Sequence, residues 1–202
     1  MKHDKQKNLI PSLFPEKLQW DRDNVFISLG KLYDFVNREC DDAIAWYYDK
    51  KKWKKRCGVL SRVLAIFGAA IAGLVPIIIE IQKSTGCKYI LSPGISTVSL
   101  AFVALFISLD KFGGWTSGWI RYVNTAQQLS QLQSNFKLKW EQELISLSNA
   151  EEYLDVLKES IAILEKFLNS VHDLVRKETD LWVQEFKGVL HELEKGEKNN
   201  NT

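Results

Sequence analysis

Two long apolar blocks interrupt an otherwise mixed sequence. Residues 59–81 read VLSRVLAIFGAAIAGLVPIIIEI and residues 89–109 read YILSPGISTVSLAFVALFISL, with a short polar stretch between them. A helix needs about 20 residues to cross a hydrocarbon core of about 30 Å. We therefore predict membrane-spanning helices at 57–81 and 89–110, joined by an extracytoplasmic link at 82–88. The alternative, a buried helical hairpin of a soluble protein, is disfavoured because both blocks are almost free of charge.

The residues that interrupt the two blocks fit this prediction. Arg62 lies one turn inside the first block, where its long side chain can reach back to the headgroups. Pro76 lies near the far end of that block, where a kink is tolerated. Pro93 suits the first turn of the second helix, and Gly113 with Gly114 is expected to end it.

The flanking charges predict the orientation in the membrane. A basic run, here called the collar, precedes the first span and contains five lysines and one arginine: Lys50, Lys51, Lys52, Lys54, Lys55 and Arg56. Lys111 and Arg121 follow the second span, whereas the link carries only Lys83 and Lys88, with Glu80 beside it. Excess Lys and Arg mark the cytoplasmic side. Both termini are therefore predicted to be cytoplasmic, and no apolar leader precedes the spans.

Outside the spans, apolar residues recur at steps of three and four, which is typical of amphipathic helices. This spacing predicts a cytoplasmic helix at 24–56, another at 111–148 and a long C-terminal helix at 149–196. An N-terminal arm at 1–23 and a disordered tail at 197–202 complete the chain. The expected fold class is an all-α membrane protein: a two-helix transmembrane hairpin with cytoplasmic helices on both sides, assembled into an oligomer. Asp23 or Asn24 is expected to cap the first helix, and Asn149 with Glu152 the last.

The apolar stripe of the first cytoplasmic helix is predicted to face a core. It contains Phe26, Leu29, Tyr33, Val36, Cys40, Ile44 and Tyr47. In the C-terminal helix a heptad-like seam runs through Leu154, Leu157, Ile161, Leu164, Leu168, Val171 and Val175, with Glu178 interrupting it. This seam predicts either packing on neighbouring helices of the same chain or an oligomeric coiled coil. The arm, through Leu13, Phe14, Leu18 and Trp20, is expected to dock on a partner or on the membrane surface.

Composition narrows the possible functions. A net charge of +2 over 202 residues is far from that of a dedicated nucleic-acid binder. The three cysteines, Cys40, Cys57 and Cys87, have no metal-ligand or disulfide spacing, and the three histidines are scattered. The sequence contains no phosphate-binding glycine loop, no paired nucleophile and base, and no useful pair of acids. We therefore expect no enzyme activity, no catalytic residue, no cofactor and no metal.

The spans themselves carry two patterns. In the first, Ala65, Ala69 and Gly73 are spaced by four, with Gly68 and Ala72 beside them, which predicts close packing of helices. In the second, one weakly polar face predicts a pore lining, formed by Ser92, Ser96, Ser99, Val103, Phe106 and Asp110. The last of these residues is an acid near the negative end of a helix dipole. Pairing with Lys111 or Arg121 is the alternative role for Asp110.

The collar has two possible roles. Its charge first fixes the topology, and Trp46, Tyr47, Tyr48 and Trp53 are expected to be interfacial aromatics. A cationic ring, repeated by symmetry in an oligomer, would also attract a nucleotide or oligonucleotide. The residues assigned to that ligand are Lys50, Lys51, Lys52, Trp53, Lys54, Lys55, Arg56 and Arg121.

The chain resembles the SLATT domain family over roughly residues 25–170. The resemblance rests on AIAWYYDKKKWKKR before the first span and on GWTSGWIRYVNTAQQL after the second. The matching positions are Trp46, Tyr47, Lys51 and Lys52, then Trp119, Arg121, Tyr122, Ala126 and Leu129. The family is expected to supply pore-forming effectors of bacterial conflict systems, often encoded beside nucleotide-generating enzymes. It brings no catalytic residue and no ligand motif. The N-terminal arm and the long C-terminal helix look like additions to it.

These observations lead to one main hypothesis and one rival. The first is an oligomeric inner-membrane channel that serves anti-phage defence, depolarises the membrane and is gated by a nucleotide or oligonucleotide from a partner nucleotidyltransferase. Its partners would be the lipid bilayer, further copies of the chain and that ligand. The rival is a membrane-anchored scaffold that recruits a soluble partner through its cytoplasmic helices and conducts nothing.

Overall fold

The computed structural model describes residues 9, 12–21, 23–86, 91–148 and 153–200, without the side chains of 146–148, 153–156, 193 and 196–200. Four helices account for all regular secondary structure of these residues: α1 (Val25–Ser84), α2 (Gly94–Gly113), α3 (Trp115–Ser148) and α4 (Tyr153–Asn200). The all-α prediction is therefore confirmed. Cys87, Lys88, Asn149 and Glu152, on which several predictions rested, lie outside the described residues.

The first cytoplasmic helix and the first apolar block form one uninterrupted helix of 60 residues. The boundary expected between residues 56 and 57 is thus not a break in structure. The predicted cap is wrong: the carboxylate of Asp21 accepts the backbone N–H groups of Asp23 at 3.2 Å and Asn24 at 3.1 Å. Hydrogen bonds to this carboxylate lower the pKa of Asp21, and the largest cause is the bond from the Asn24 side chain.

The ends of α2 carry the predicted proline and glycine signals, but the helix begins at Gly94 and ends at Gly113, whereas the prediction was 89–110. Pro93 lies directly before the first residue of α2, and Gly114 ends the helix in the left-handed conformation at φ 54°. The Gly114 N–H bonds back to the carbonyls of Asp110 and Lys111, which satisfies two of the last carbonyls of α2. At the other end of the chain, α4 continues to Asn200, beyond the predicted end at residue 196.

The chain forms two compact units. Unit 1 comprises Met1–Lys51 and Arg121–Leu181, and unit 2 comprises Lys52–Ile120 and Trp182–Thr202. In unit 1, one side of α1 packs with α3 and α4 around a shared core. Its buried residues are Val25, Leu29, Val36, Cys40, Ala43, Tyr47, Ala126, Leu129, Phe136, Trp140, Leu157, Leu164, Phe167 and Val171.

The two predicted stripes account for half of this core. One member of the first stripe is wrong: Phe26 is 54% exposed, and its neighbour Val25 is buried instead. From Leu157 to Val175 the seam of α4 lies against the chain's own helices, whereas the side chain of Leu154 lies outside the described set. The Phe136 and Phe167 rings are stacked 4.0 Å apart in this core. Burial of the seam within unit 1 favours the first interpretation, packing within the chain, over an oligomeric coiled coil.

The N-terminal arm packs on α1 of its own unit. The Phe14 ring meets Phe35 edge-on at 5.3 Å, and Ser28 Oγ exchanges hydrogen bonds with the backbone of Gln19 at 2.7 and 2.8 Å. Docking of the arm on a partner or on the membrane surface stays a prediction. Leu13, at 92% exposed, and half-exposed Trp20 do point outward.

In unit 2, the second part of α1 contacts α2, and both helices present large apolar side chains to the outside. Two helical stretches contain a window that is apolar enough to cross a membrane. The mean hydropathy of the window is 2.4 in α1 and 1.7 in Gly94–Ile145, the stretch that begins with α2. Only 22% of the first window and none of the second is buried. The core helix of a soluble protein would be mostly buried, so the apolar surfaces of α1 and α2 need a lipid or protein cover that one copy of the chain does not supply.

Candidate functional site

Small residues let α1 and α2 approach closely. Ser96 Oγ donates a hydrogen bond to the Ala72 carbonyl at 3.1 Å, and a Cβ added to Gly68 would lie 2.8 Å from a methyl group of Val103. The contact stripe of α1 therefore alternates steps of three and four through Ala65, Gly68 and Ala72. It is not the predicted stripe spaced by four.

Two of the three residues predicted for helix packing lie off this contact. Ala65 is buried, but Ala69 and Gly73 are exposed. A Cβ added to Gly73 would meet no atom of the described residues within 4 Å. Packing through Ala69 and Gly73 within the chain is therefore excluded in this structure, and packing between copies of the chain stays a prediction.

The predicted pore-lining face is the side of α2 turned towards α1. Ser96, Ser99, Val103, Phe106 and Asp110 are its half-buried residues, whereas exposed Ser92 precedes the helix. The face is thus filled by α1 in this structure. A water-filled pore along it requires α1 and α2 to separate, and the pore assignment stays a prediction.

Asp110 holds the junction between α2 and α3. Its carboxylate accepts hydrogen bonds from the Thr116 backbone N–H at 3.1 Å and from the Thr116 hydroxyl at 2.7 Å. Arg62 Nε lies 3.7 Å from the same carboxylate. An acid at the end of α2 is therefore explained by the positive start of the next helix. The predicted partners, Lys111 and Arg121, are wrong for Asp110 because each binds a different acid.

The beginning of α3 also packs tightly on α1. A Cβ at Gly58 would lie 2.8 Å from Thr116 Oγ1 and 3.2 Å from its backbone nitrogen, so glycine is needed for the approach. The Lys54 side chain extends over Gly118, where an added Cβ would lie 2.7 Å from Nζ. Sequence reasoning missed Arg62 and Thr116 as site residues. An acid followed by Gly-Gly and a new helix start was the available signal.

Several collar lysines lie near aromatic rings. Lys51 Nζ lies 4.0 Å from the centre of the Tyr48 ring, Lys50 Nζ lies 6.0 Å from Trp46, and Lys55 Nζ lies 5.8 Å from Trp119. Trp53 is 70% exposed, as expected for an interfacial aromatic. The interfacial assignment is wrong for Tyr47, whose ring lies in the core of unit 1, 5.3 Å from that of Tyr122.

Three collar residues share a groove in unit 2. Lys52, Lys55 and Arg56 line a volume of about 490 Å³ together with Val59, Leu60 and Val63. Lys50, Lys51 and Arg121 belong to unit 1. The structure therefore gathers only part of the predicted ligand set.

Arg121 forms a buried ion pair inside unit 1. Its Nε lies 3.4 Å from Glu178 Oε1, and the two side chains are only 16% and 8% exposed. Glu178 interrupts the heptad seam because it meets this arginine. Burial, with the Glu178 charge as the next cause, raises the pKa of both Tyr47 and Tyr122. A ligand role for Arg121 stays a prediction, and it requires competition with Glu178.

The last part of α4 contacts the α2–α3 junction within unit 2. Lys111 pairs with Glu192, which lowers the pKa of that carboxyl, and the Ser117 hydroxyl bonds to Glu185. The Phe112 and Phe186 rings lie 6.1 Å apart. Across the part of the chain that is described, no group of three or more His, Cys, Asp or Glu residues could hold a metal ion.

Comparison with models of protein families matches residues 12–199 to SLATT_2, the SMODS and SLOG-associating 2TM effector domain 2. No curated protein and no solved structure gives a significant match. The matched range includes residues 12–23, about half of the arm, and nearly all of α4. The expectation that the arm and the long C-terminal helix are additions to the family's domain is therefore wrong for residues 12–23 and for α4.

Proposed function

We propose that this chain, which belongs to the SLATT_2 family of two-span membrane effector domains, forms an ion-conducting pore in the bacterial inner membrane. Opening of the pore would depolarise the membrane and arrest growth, as an abortive-infection response to phage. The family places the protein among membrane effectors of conflict systems, and the resemblance found in the sequence is thereby confirmed. Pore formation goes beyond that membership.

The exposed apolar surface of α2 is the observation that supports the proposal most strongly. No residue of α2, all of which is described, is buried, although its mean hydropathy meets that of a membrane span. Two helices cannot enclose a column of water, so a pore requires several copies of the chain. Part of the exposed surface would then face lipid, and part would face neighbouring copies.

The α1–α2 contact supplies a gate in this proposal. Ser96, Ser99 and Val103 lie against α1 here, which corresponds to a non-conducting arrangement. Separation of the two helices would expose the serines to water, with Phe106 as an apolar constriction and Asp110 at the cytoplasmic mouth. Asp110 would leave Arg62 in that step while Thr116 still holds it. The Asp110→Asn variant should then lower cation preference, and unchanged selectivity would refute the mouth assignment.

A nucleotide or oligonucleotide is the proposed signal. The collar supplies cations, and the SMODS and SLOG association in the family description supports a partner in a conflict system. Reversing the charges of Lys51, Lys52, Lys54 and Lys55 should abolish ligand control. Reversing Lys137 and Lys139 on α3 is the control, since both lie outside the collar. Control that survives the first change would exclude the collar as the ligand site.

Ion flux in liposomes tests the pore. The purified chain is reconstituted with and without prior nuclease treatment, and insertion is checked by resistance to carbonate extraction. Flux only after nuclease treatment would identify a pore that a bound oligonucleotide holds shut. Flux in both samples would support a pore that is regulated in another way. Inserted protein that conducts in neither sample, even with the partner's nucleotide products added, would favour the scaffold, which predicts no toxicity on overexpression.

A further inference from the structure

The groove at the end of the collar combines two chemistries on one face of α1. Lys52, Lys55 and Arg56 line one end of it, and Val59, Leu60 and Val63 line the other. The three aliphatic side chains are 50%, 59% and 40% exposed. From Arg56 to Val63 the helix rises about 10 Å, at about 1.5 Å per residue. Cationic side chains are therefore followed directly by apolar side chains along the groove. The distance that they span is comparable to that from a lipid phosphate to the upper part of its acyl chain.

We propose that this groove binds one anionic phospholipid of the leaflet beside the collar. The phosphate would lie among Lys52, Lys55 and Arg56, and an acyl chain would lie along Val59, Leu60 and Val63. A soluble phosphate ligand would use the cations but not the aliphatic end. The lipid is thus the occupant that matches both ends by charge and by polarity.

The collar contains three other cations, Lys50, Lys51 and Lys54. Lys50 and Lys51 lie near the rings of Trp46 and Tyr48, and Lys54 extends over Gly118. These three lysines line no part of the groove. They form a matched control on the same stretch of helix, with the same change in net charge.

Native mass spectrometry of the delipidated full chain tests this proposal. Phosphatidylglycerol and phosphatidylcholine of equal chain length are titrated against wild type, K52Q/K55Q/R56Q and K50Q/K51Q/K54Q. Each cation near a phosphate contributes roughly fivefold to anionic-lipid binding, so the groove variant should lose affinity for phosphatidylglycerol on the order of 100-fold. The control variant should stay within about threefold of wild type. Equal losses in both variants, or equal binding of the two lipids by wild type, would overturn the proposal.

Two further arms separate the lipid from a free phosphate. The headgroup alone, glycerophosphoglycerol, should bind far more weakly than the lipid, and L60S/V63S should weaken the lipid but leave the headgroup unaffected. A headgroup that binds as tightly as the lipid would identify a soluble-anion site and refute the lipid. The inference rests only on the membrane placement of α1. Absence of ion flux with lipid selectivity intact would therefore refute the pore alone, and loss of selectivity with flux intact would refute the lipid site alone.

Discussion

Breaking the Arg121–Glu178 pair should destabilise unit 1 strongly, because both side chains are largely buried. Two opposite charges 3.4 Å apart attract by about 5 kcal/mol at an effective dielectric constant of about 20. Much of this offsets the cost of removing both groups from water, so the pair adds little net stability. The Glu178→Gln change keeps the shape but leaves the Arg121 charge buried without its acid. We expect a loss of about 3–5 kcal/mol.

Thermal unfolding of the full chain in detergent, followed by circular dichroism, measures this loss. For a chain of this size, a loss of that magnitude lowers Tm by roughly 6–20 °C. The Arg121→Met, Glu178→Met double variant should recover most of it, since apolar residues of similar volume can replace a buried pair. A Tm of Glu178→Gln within about 2 °C of wild type would refute the burial of the pair.

An exposed pair on the same helix provides the control. Arg176 and Asp173 lie only 2.6 Å apart, closer than Arg121 and Glu178, but their side chains are 74% and 65% exposed. Solvent screens such a pair, so the Asp173→Asn change should cost no more than about 0.5 kcal/mol. The shorter distance should thus carry the smaller energy. If Asp173→Asn lowers Tm as much as Glu178→Gln does, burial does not decide the strength of these pairs.

Three further predictions concern other parts of the chain. Gly58→Ala should lower Tm, because overpacking against Thr116 costs about 1–3 kcal/mol. Gly73→Ala, where the added Cβ meets open space, should raise Tm slightly. A Tm change of the same sign in both variants would contradict this packing. Burial raises the pKa of Cys40 to about 12. Alkylation of this thiol at pH 8, followed by peptide mass mapping, should therefore be on the order of 1000-fold slower in the folded chain than in the unfolded chain. Equal rates would show that the thiol is exposed. Because burial raises the pKa of Cys40 and Tyr122, their protons leave the unfolded chain first, so stability should be constant from about pH 6 to about pH 9 and fall above pH 9. A Tm that rises above pH 9 would contradict that sign, and Cys40→Ala should delay the fall by about one pH unit.

The periodicity of the sequence was sufficient for the helices but not for their partners. Alternating steps of three and four placed Leu29, Val36 and Cys40 correctly in a core. The same pattern could not choose among overlapping stripes in the first span, where small residues occur on several faces. Selection of Gly68 over Gly73 as the contact with α2 depends on where Val103 lies, which is a long-range fact.

Polar partners were predicted least well, because they depend on where neighbouring helices begin and end and on which distant residues the fold brings together. The acid at Asp110 was singled out for its position against the helix dipole. Its partners, the backbone N–H and the hydroxyl of Thr116, could be identified only with the knowledge that α2 ends at Gly114 and that α3 begins at the next residue. Glu178 was interpreted as a break in the heptad seam because its partner, Arg121, is distant in sequence and lies on another helix.

Current across a planar bilayer tests the central claim, that separation of α1 and α2 opens a pore. The chain is prepared with its native cysteines replaced and with Ala72→Cys and Ser96→Cys introduced at the two contacting positions. Under the condition that gives flux in liposomes, we predict that the reduced protein conducts, that oxidation stops the current and that reductant restores it. Single-cysteine variants should be unaffected by oxidation. Conductance that persists in fully cross-linked protein would contradict the account, because the pore would then lie elsewhere than between these two helices.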